Sequence, residues 1–150
     1  METAIQMMNT ALVIGREEVR FSTIDMCVFD LYKGSCELLK AGASTTFIRY
    51  ADRVEKISST SLPIGVIQNI EVERIEKELQ DGTFVIMVTD GVMDALPTGE
   101  QEALMSTIIR GTHINNAKEL AHHILGQILE WTGELPQDDM TVIVVGLWKI

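Results

Sequence analysis

The chain has 150 residues, 46 % of them apolar and 23 % charged. That balance suits one globular domain and excludes collagen-like, low-complexity and disordered readings. Twelve Lys and Arg against 22 Asp and Glu give a net charge of −10, which argues against broad binding to nucleic acid or to anionic membranes, themselves polyanions.

A helix is predicted over residues 3–14, with Ile5, Met8 and Leu12 on one face and Gly15 as a stop signal. The pattern then turns to strand from Phe21 to Tyr32, where Cys27, Phe29 and Leu31 alternate with Met26, Val28 and Asp30. A turn at Lys33-Gly34 leads into a return strand from Cys36 to Lys40. With a two-residue turn, Leu31 would face Cys36 and Cys27 would face Lys40, so both cysteines read as reduced core residues. Ala41-Gly42-Ala43-Ser44 is a small-residue break where a backbone can approach closely. A second hairpin is expected from Thr45–Tyr50 and Arg53–Ile57, turning at Ala51-Asp52. Ser61-Leu62-Pro63-Ile64-Gly65 reads as a packing loop. Residues 71–79 alternate charged and apolar, as in a strand near a sheet edge.

Thr83 to Thr89 is apolar on both faces, the mark of a central strand, and ends in Asp90-Gly91. Residues 100–110 are helical in character. Asn116 with Glu119 resembles a capping box ahead of a helix with an apolar stripe through Leu120, Ile124 and Ile128. Gly133, Pro136 and Gln137 break the chain, and Asp138-Asp139 opens a final two-faced apolar strand through Trp148, expected to be a second central strand. Hairpins imply antiparallel pairing, and strands buried on both faces imply covering layers. The expected fold class is therefore α/β, an antiparallel sandwich flanked by helices, in one domain over 1–150. No run approaches the ~18 apolar residues of a membrane span, and Met1-Glu2-Thr3-Ala4 does not open a secretory leader. The expected location is cytoplasmic.

Asp90 ends one apolar strand and Asp138 precedes another. If the two strands are antiparallel neighbours, these carboxylates meet at one edge of the sheet. Their charges repel, so the arrangement calls for a cation. Oxygen donors suit Mg²⁺ or Mn²⁺. Gly91 would let the backbone turn sharply beside them. The competing reading is an ordinary Asp-Gly turn and a solvated strand cap. His113, His122 and His123 lie in no carboxylate cluster and read as solvated positions.

Five segments occur in order: Phe21-Ser22-Thr23-Ile24-Asp25, Leu39-Lys40-Ala41-Gly42-Ala43-Ser44, Leu62-Pro63-Ile64-Gly65-Val66, Val88-Thr89-Asp90-Gly91-Val92 and Asp138-Asp139-Met140-Thr141-Val142. Together they resemble the stage II sporulation protein E family of metal-dependent, 2C-type Ser/Thr protein phosphatases. The resemblance implies two stacked antiparallel sheets and two Mn²⁺ or Mg²⁺ ions at one sheet edge. It implies water attacking a phosphoserine or phosphothreonine of a regulatory phosphoprotein, such as an anti-sigma factor antagonist. It makes Asp90, with Gly91, and Asp138 metal ligands, and puts Asp139 where relatives often carry Asn. It gives Asp25 a place near the site, although a plain strand-edge carboxylate is the simpler reading. The first helix resembles part of a switching element, and otherwise is a covering helix. The family's first Asp-Gly motif has no counterpart ahead of Thr3, so the chain is expected to be the C-terminal part of the domain. It would then be open to homodimerisation through exposed sheet edges or the first helix. The alternative function is a catalytically silent, protein-binding module.

Overall fold

The computed structural model describes residues 2–14, 21–132 and 138–148. The breaks expected at Gly15 and at Gly133, Pro136 and Gln137 lie outside the described residues. In chain order the elements are α1 (Glu2–Val13), β1 (Ile24–Asp30), β2 (Ser35–Ala41), β3 (Thr46–Arg49), β4 (Val54–Ile57), β5 (Glu73–Glu78), β6 (Thr83–Val88), α2 (Asp90–Asp94), α3 (Gln101–Arg110), α4 (Ala117–Thr132) and β7 (Val142–Leu147). The class is mixed α/β with antiparallel sheets, as expected. Two compact units form: Met1–Ala43 with Ser59–Leu79, and Ser44–Ser58 with Gln80–Ile150.

The first unit holds a three-stranded sheet in the order β1-β2-β5. β5 alternates half-buried and exposed residues, as its charge alternation foretold, and is an outer strand among the described residues. The β1–β2 register departs from expectation. Phe29 pairs with Cys36 and Cys27 with Leu38. The cause is Asp30, whose Oδ1 accepts hydrogen bonds from the amides of Tyr32 and Lys33, both 3.0 Å. This aspartate-capped turn begins at Asp30, so Leu31 is turn rather than strand. Gly42 has φ +63°, and a Cβ there would lie 2.6 Å from the ring of Pro63, so the small-residue break is a close backbone approach.

α1 covers a cluster of Ile5, Leu39, Ala41, Ile64 and Ile70. Its inner face is Ile5 and Asn9, not Ile5 and Met8; Met8 is 43 % exposed. Asn9 displaces methionine because its amide serves a loop. Nδ2 donates to the carbonyls of Ile67 (3.0 Å) and Gln68 (2.8 Å), and Oδ1 accepts from the Gly65 amide (2.7 Å). Of these groups the Gly65 amide belongs to a buried residue, and leaving it without a partner would cost about 1–3 kcal/mol.

The second unit holds a four-stranded sheet in the order β4-β3-β6-β7. β6 is central, with five of its six residues buried. β7 is apolar enough for a centre but is an outer strand among the described residues, with Ile143 51 % exposed. The expectation of a second central strand is corrected here: apolar composition reports burial of faces, not pairing on both edges. Phe47, Phe84, Ile86 and Val88 form one core with Met105 and Ile109 of α3 and Leu120, Ile124 and Ile128 of α4. Each of these large side chains contributes about 1.5–3 kcal/mol by leaving water. Asn116 caps α4 as its sequence signature indicated, accepting from the Glu119 amide at 3.0 Å.

Candidate metal centre

β6 and β7 run antiparallel with Val88 opposite Val142. The end of β6 and the start of β7 therefore lie at the same rim of the sheet. The ladder continues beyond the strands: the Thr89 amide donates to the Thr141 carbonyl at 3.1 Å. The Thr89 hydroxyl accepts from the Thr141 amide (2.9 Å) and donates to the Asp139 carbonyl (3.3 Å). This hydroxyl clamps the two segments that carry the aspartates. Sequence reasoning missed it; the signal available was a threonine flanking each acidic site on its strand side.

Asp90 opens α2, and Gly91 is buried in its first turn. Gly91 is not at positive φ, so its use is not the sharp turn that the sequence suggested. The need is space. A Cβ on Gly91 would lie 2.5 Å from the Asp139 carbonyl oxygen and 3.3 Å from the Asp138 Cβ. Residues 90–91 and 138–139 are thus in direct contact despite their separation along the chain.

The carboxylates of Asp90, Asp138 and Asp139 belong to exposed residues. Two are oriented locally: Asp90 Oδ1 accepts from the Gly91 amide (3.1 Å) and Asp138 Oδ1 from the Asp139 amide (2.7 Å). The donors at this rim are all oxygens, which fits a hard divalent cation. Among the described residues, no three His, Cys, Asp or Glu side chains converge into a ready-made cage. The set fits the Mg²⁺ manner of binding, in which one or two carboxylates hold an ion that keeps several waters.

Asp25 sits on β1, an outer strand among the described residues, and pairs with Lys40 at 2.7 Å, Lys40 being wholly buried. Burial pushes the Lys40 ammonium below its ordinary pKa, and Asp25 partly offsets this. The pairing was not legible in the sequence, because only the register sets Asp25 opposite Lys40. His113 and His122 are exposed and His123 half-buried, in keeping with solvated positions. No described helix is long and apolar enough to cross a membrane.

Residues 1–148 match the family model for stage II sporulation protein E. The chain belongs to the stage II sporulation protein E family. Stage II sporulation protein E of Bacillus subtilis (strain 168) is 32 % identical over 143 residues, a stretch that covers 95 % of this chain but 17 % of that protein. The solved phosphatase domain of B. subtilis SpoIIE, presoaked with Mn, superposes with a TM-score of 0.78 at 28 % identity, covering 98 % of this chain and 66 % of that one. The structure of its PP2C phosphatase domain with a fragment of the regulatory domain gives a TM-score of 0.86 at 30 % identity, over 96 % of this chain and 43 % of that one. The relatives that share this fold are thus PP2C-type phosphatase domains, of which the SpoIIE-family chain described here spans a part.

Proposed function

We propose that this chain forms the metal-binding rim of a protein serine/threonine phosphatase domain, with Asp90 and Asp138 as ligands for Mn²⁺ or Mg²⁺. The observation that carries this reading is the contact of Gly91 with Asp138 and Asp139 across the β6–β7 end. When bound, such a cation lowers the pKa of water and offsets the charge of a phosphate group. The residues of the chain do the holding. Thr89 fixes the spacing of the two segments, Gly91 keeps them in contact, and the two aspartates supply anionic oxygens whose mutual repulsion favours cation uptake. Asp139 contributes its backbone carbonyl to the clamp and is the secondary candidate for ion contact. A net charge of −10 opposes a phosphoprotein substrate everywhere except where a cation is held. The substrate would be a phosphoserine or phosphothreonine on a regulatory protein such as an anti-sigma factor antagonist, in the cytoplasm.

A second reading is a catalytically silent module that recognises a partner or pairs with itself through its outer strands. It is favoured by the lack of a three-ligand cluster among the described residues. Hydrolysis of p-nitrophenyl phosphate with and without Mn²⁺, in the full chain and in Asp90→Asn, separates the two. Mn²⁺-dependent turnover lost in the variant supports the phosphatase. Turnover unchanged by the substitution overturns the metal assignment. Mn²⁺ binding without turnover moves the conclusion to the silent module.

A further inference from the structure

Thr89 stands at the N-cap of α2, with extended backbone at φ −78° and ψ 163°. A threonine in that place ordinarily spends its hydroxyl on an amide of the first helical turn. Here the hydroxyl makes no such bond. The first turn is served by other groups: the amides of Val92 and Met93 donate to the Thr89 carbonyl (3.1 and 3.4 Å), and the Gly91 amide donates to Asp90 Oδ1 (3.1 Å). The Thr89 hydroxyl is left for the segment that follows Asp138, where it plays both parts open to a hydroxyl. It accepts from the Thr141 amide at 2.9 Å and donates to the Asp139 carbonyl at 3.3 Å. One oxygen thus holds residues 139–141 at two points. Asp138 is tied to the same segment, because its Oδ1 accepts from the Asp139 amide at 2.7 Å. On the other side, Asp90 follows Thr89 directly in the chain. A single side chain therefore joins the two acidic segments, by covalent structure to one and by two hydrogen bonds to the other.

We propose that Thr89 is a positioning residue for the divalent cation: its hydroxyl, released from helix capping, holds the Asp138 segment against Asp90 before the ion arrives and so sets the affinity of the rim for Mn²⁺ or Mg²⁺. The inference rests on the reading of Asp90 and Asp138 as the ligands, and Thr89 itself supplies no ligand atom. The two carboxylates repel, so a rim free to splay would have to be drawn together whenever an ion bound. A rim already held in place avoids that cost. Groups that orient metal ligands from behind typically change affinity about 10–100-fold when removed. Thr89 acts one step further back, through the main chain of residues 139–141, so the expected loss lies at the lower end, about tenfold. Valine keeps the branched shape of threonine without its donor or acceptor, whereas serine keeps the hydroxyl.

The test measures Mn²⁺ affinity by isothermal titration calorimetry on the full chain, in wild type, Thr89→Val, Thr89→Ser and Asp90→Asn. Thr89→Val should bind Mn²⁺ about tenfold more weakly than wild type. Thr89→Ser should bind nearly as well as wild type, and Asp90→Asn should show no saturable binding. If Thr89→Val binds as tightly as wild type while Asp90→Asn loses the ion, the inference is overturned and the metal reading stands. A loss in Thr89→Val that serine does not restore also overturns it, since shape and not the hydroxyl would then be at work. If wild type and Asp90→Asn bind alike, or neither binds, the metal reading falls and takes this inference with it. Should the valine protein fail to fold, amide hydrogen exchange in metal-free wild type decides. Protection of the Thr141 amide, which donates to the Thr89 hydroxyl, supports a clamp formed ahead of the ion; exchange at the rate of an open chain overturns it.

Discussion

Gly91 and Asp139 touch so closely that a single methyl group would not fit between them: a Cβ on Gly91 falls 2.5 Å from the Asp139 carbonyl oxygen. Gly91 is in a helical turn at negative φ, where alanine is ordinarily better than glycine by about 0.5–1 kcal/mol. Gly91→Ala therefore sets two effects against each other. The collision is with backbone that is itself held by Thr89, so it cannot swing aside cheaply. The expected result is a net loss of about 1–3 kcal/mol by chemical denaturation. A stabilised variant would show that the two segments are not in the described contact.

Mn²⁺ provides a separate reading of the same rim. A ligand that binds only the native state stabilises it by about 2.7 kcal/mol at a hundred times its Kd. Saturating Mn²⁺ should raise the Tm of the wild-type chain and leave those of Asp90→Asn and Asp138→Asn nearly unmoved. Equal shifts in all three proteins would place the ion elsewhere.

Lys40 and Asp25 form a largely buried ion pair, with side-chain exposures of 0 % and 15 %. Removing one partner leaves a charge in a poorly solvated place. Lys40→Met alone, or Asp25→Leu alone, should cost about 3–5 kcal/mol, whereas the double substitution should recover most of that loss. Urea denaturation of the four proteins gives the coupling energy. Strictly additive losses would mean that the two charges do not act as a pair.

Glu102 sets an acid limit on stability. Its carboxylate accepts from the hydroxyl of Thr45 (2.6 Å), from Ser58 (2.9 Å) and from the Lys56 ammonium (2.9 Å). These bonds, Thr45 first, hold it down to about 2 from 4.5. A depressed native pKa means that the contribution is full above pH 4.5 and is lost as pH falls toward 2. The wild-type urea midpoint should drop over that window, and the drop should be shallower in Glu102→Gln. The difference should be modest, because the side chain is 37 % exposed and solvent screens it. Identical acid profiles would contradict the assignment.

How much of this was legible beforehand depended on the range of the interaction concerned. The first hairpin shows the limit at short range. Its strands were readable from alternation, but its register turned on whether Asp30 would fold back onto the Tyr32 and Lys33 amides. That choice set Cys27 opposite Leu38 and Cys36 opposite Phe29, where a two-residue turn would have set them opposite Lys40 and Leu31. Asn9 shows the limit at longer range. Hydrophobic periodicity puts Met8 inward, because periodicity scores apolar character and is blind to a loop near residues 65–68 whose backbone needs an amide.

The amino-acid order alone determined the mixed α/β class, the near-complete run of helices and strands, the capped start of α4 and the two acidic sites that end β6 and precede β7. Those features follow from local propensity, periodicity and charge, which neighbouring residues carry between them. Only the tertiary structure decided that β7 lies outermost among the described residues, that Gly91 is kept for space rather than for φ, and that Lys40 finds Asp25. Each of these depends on strand register or on contact between segments distant in the chain, and such contacts exist only once the chain has folded.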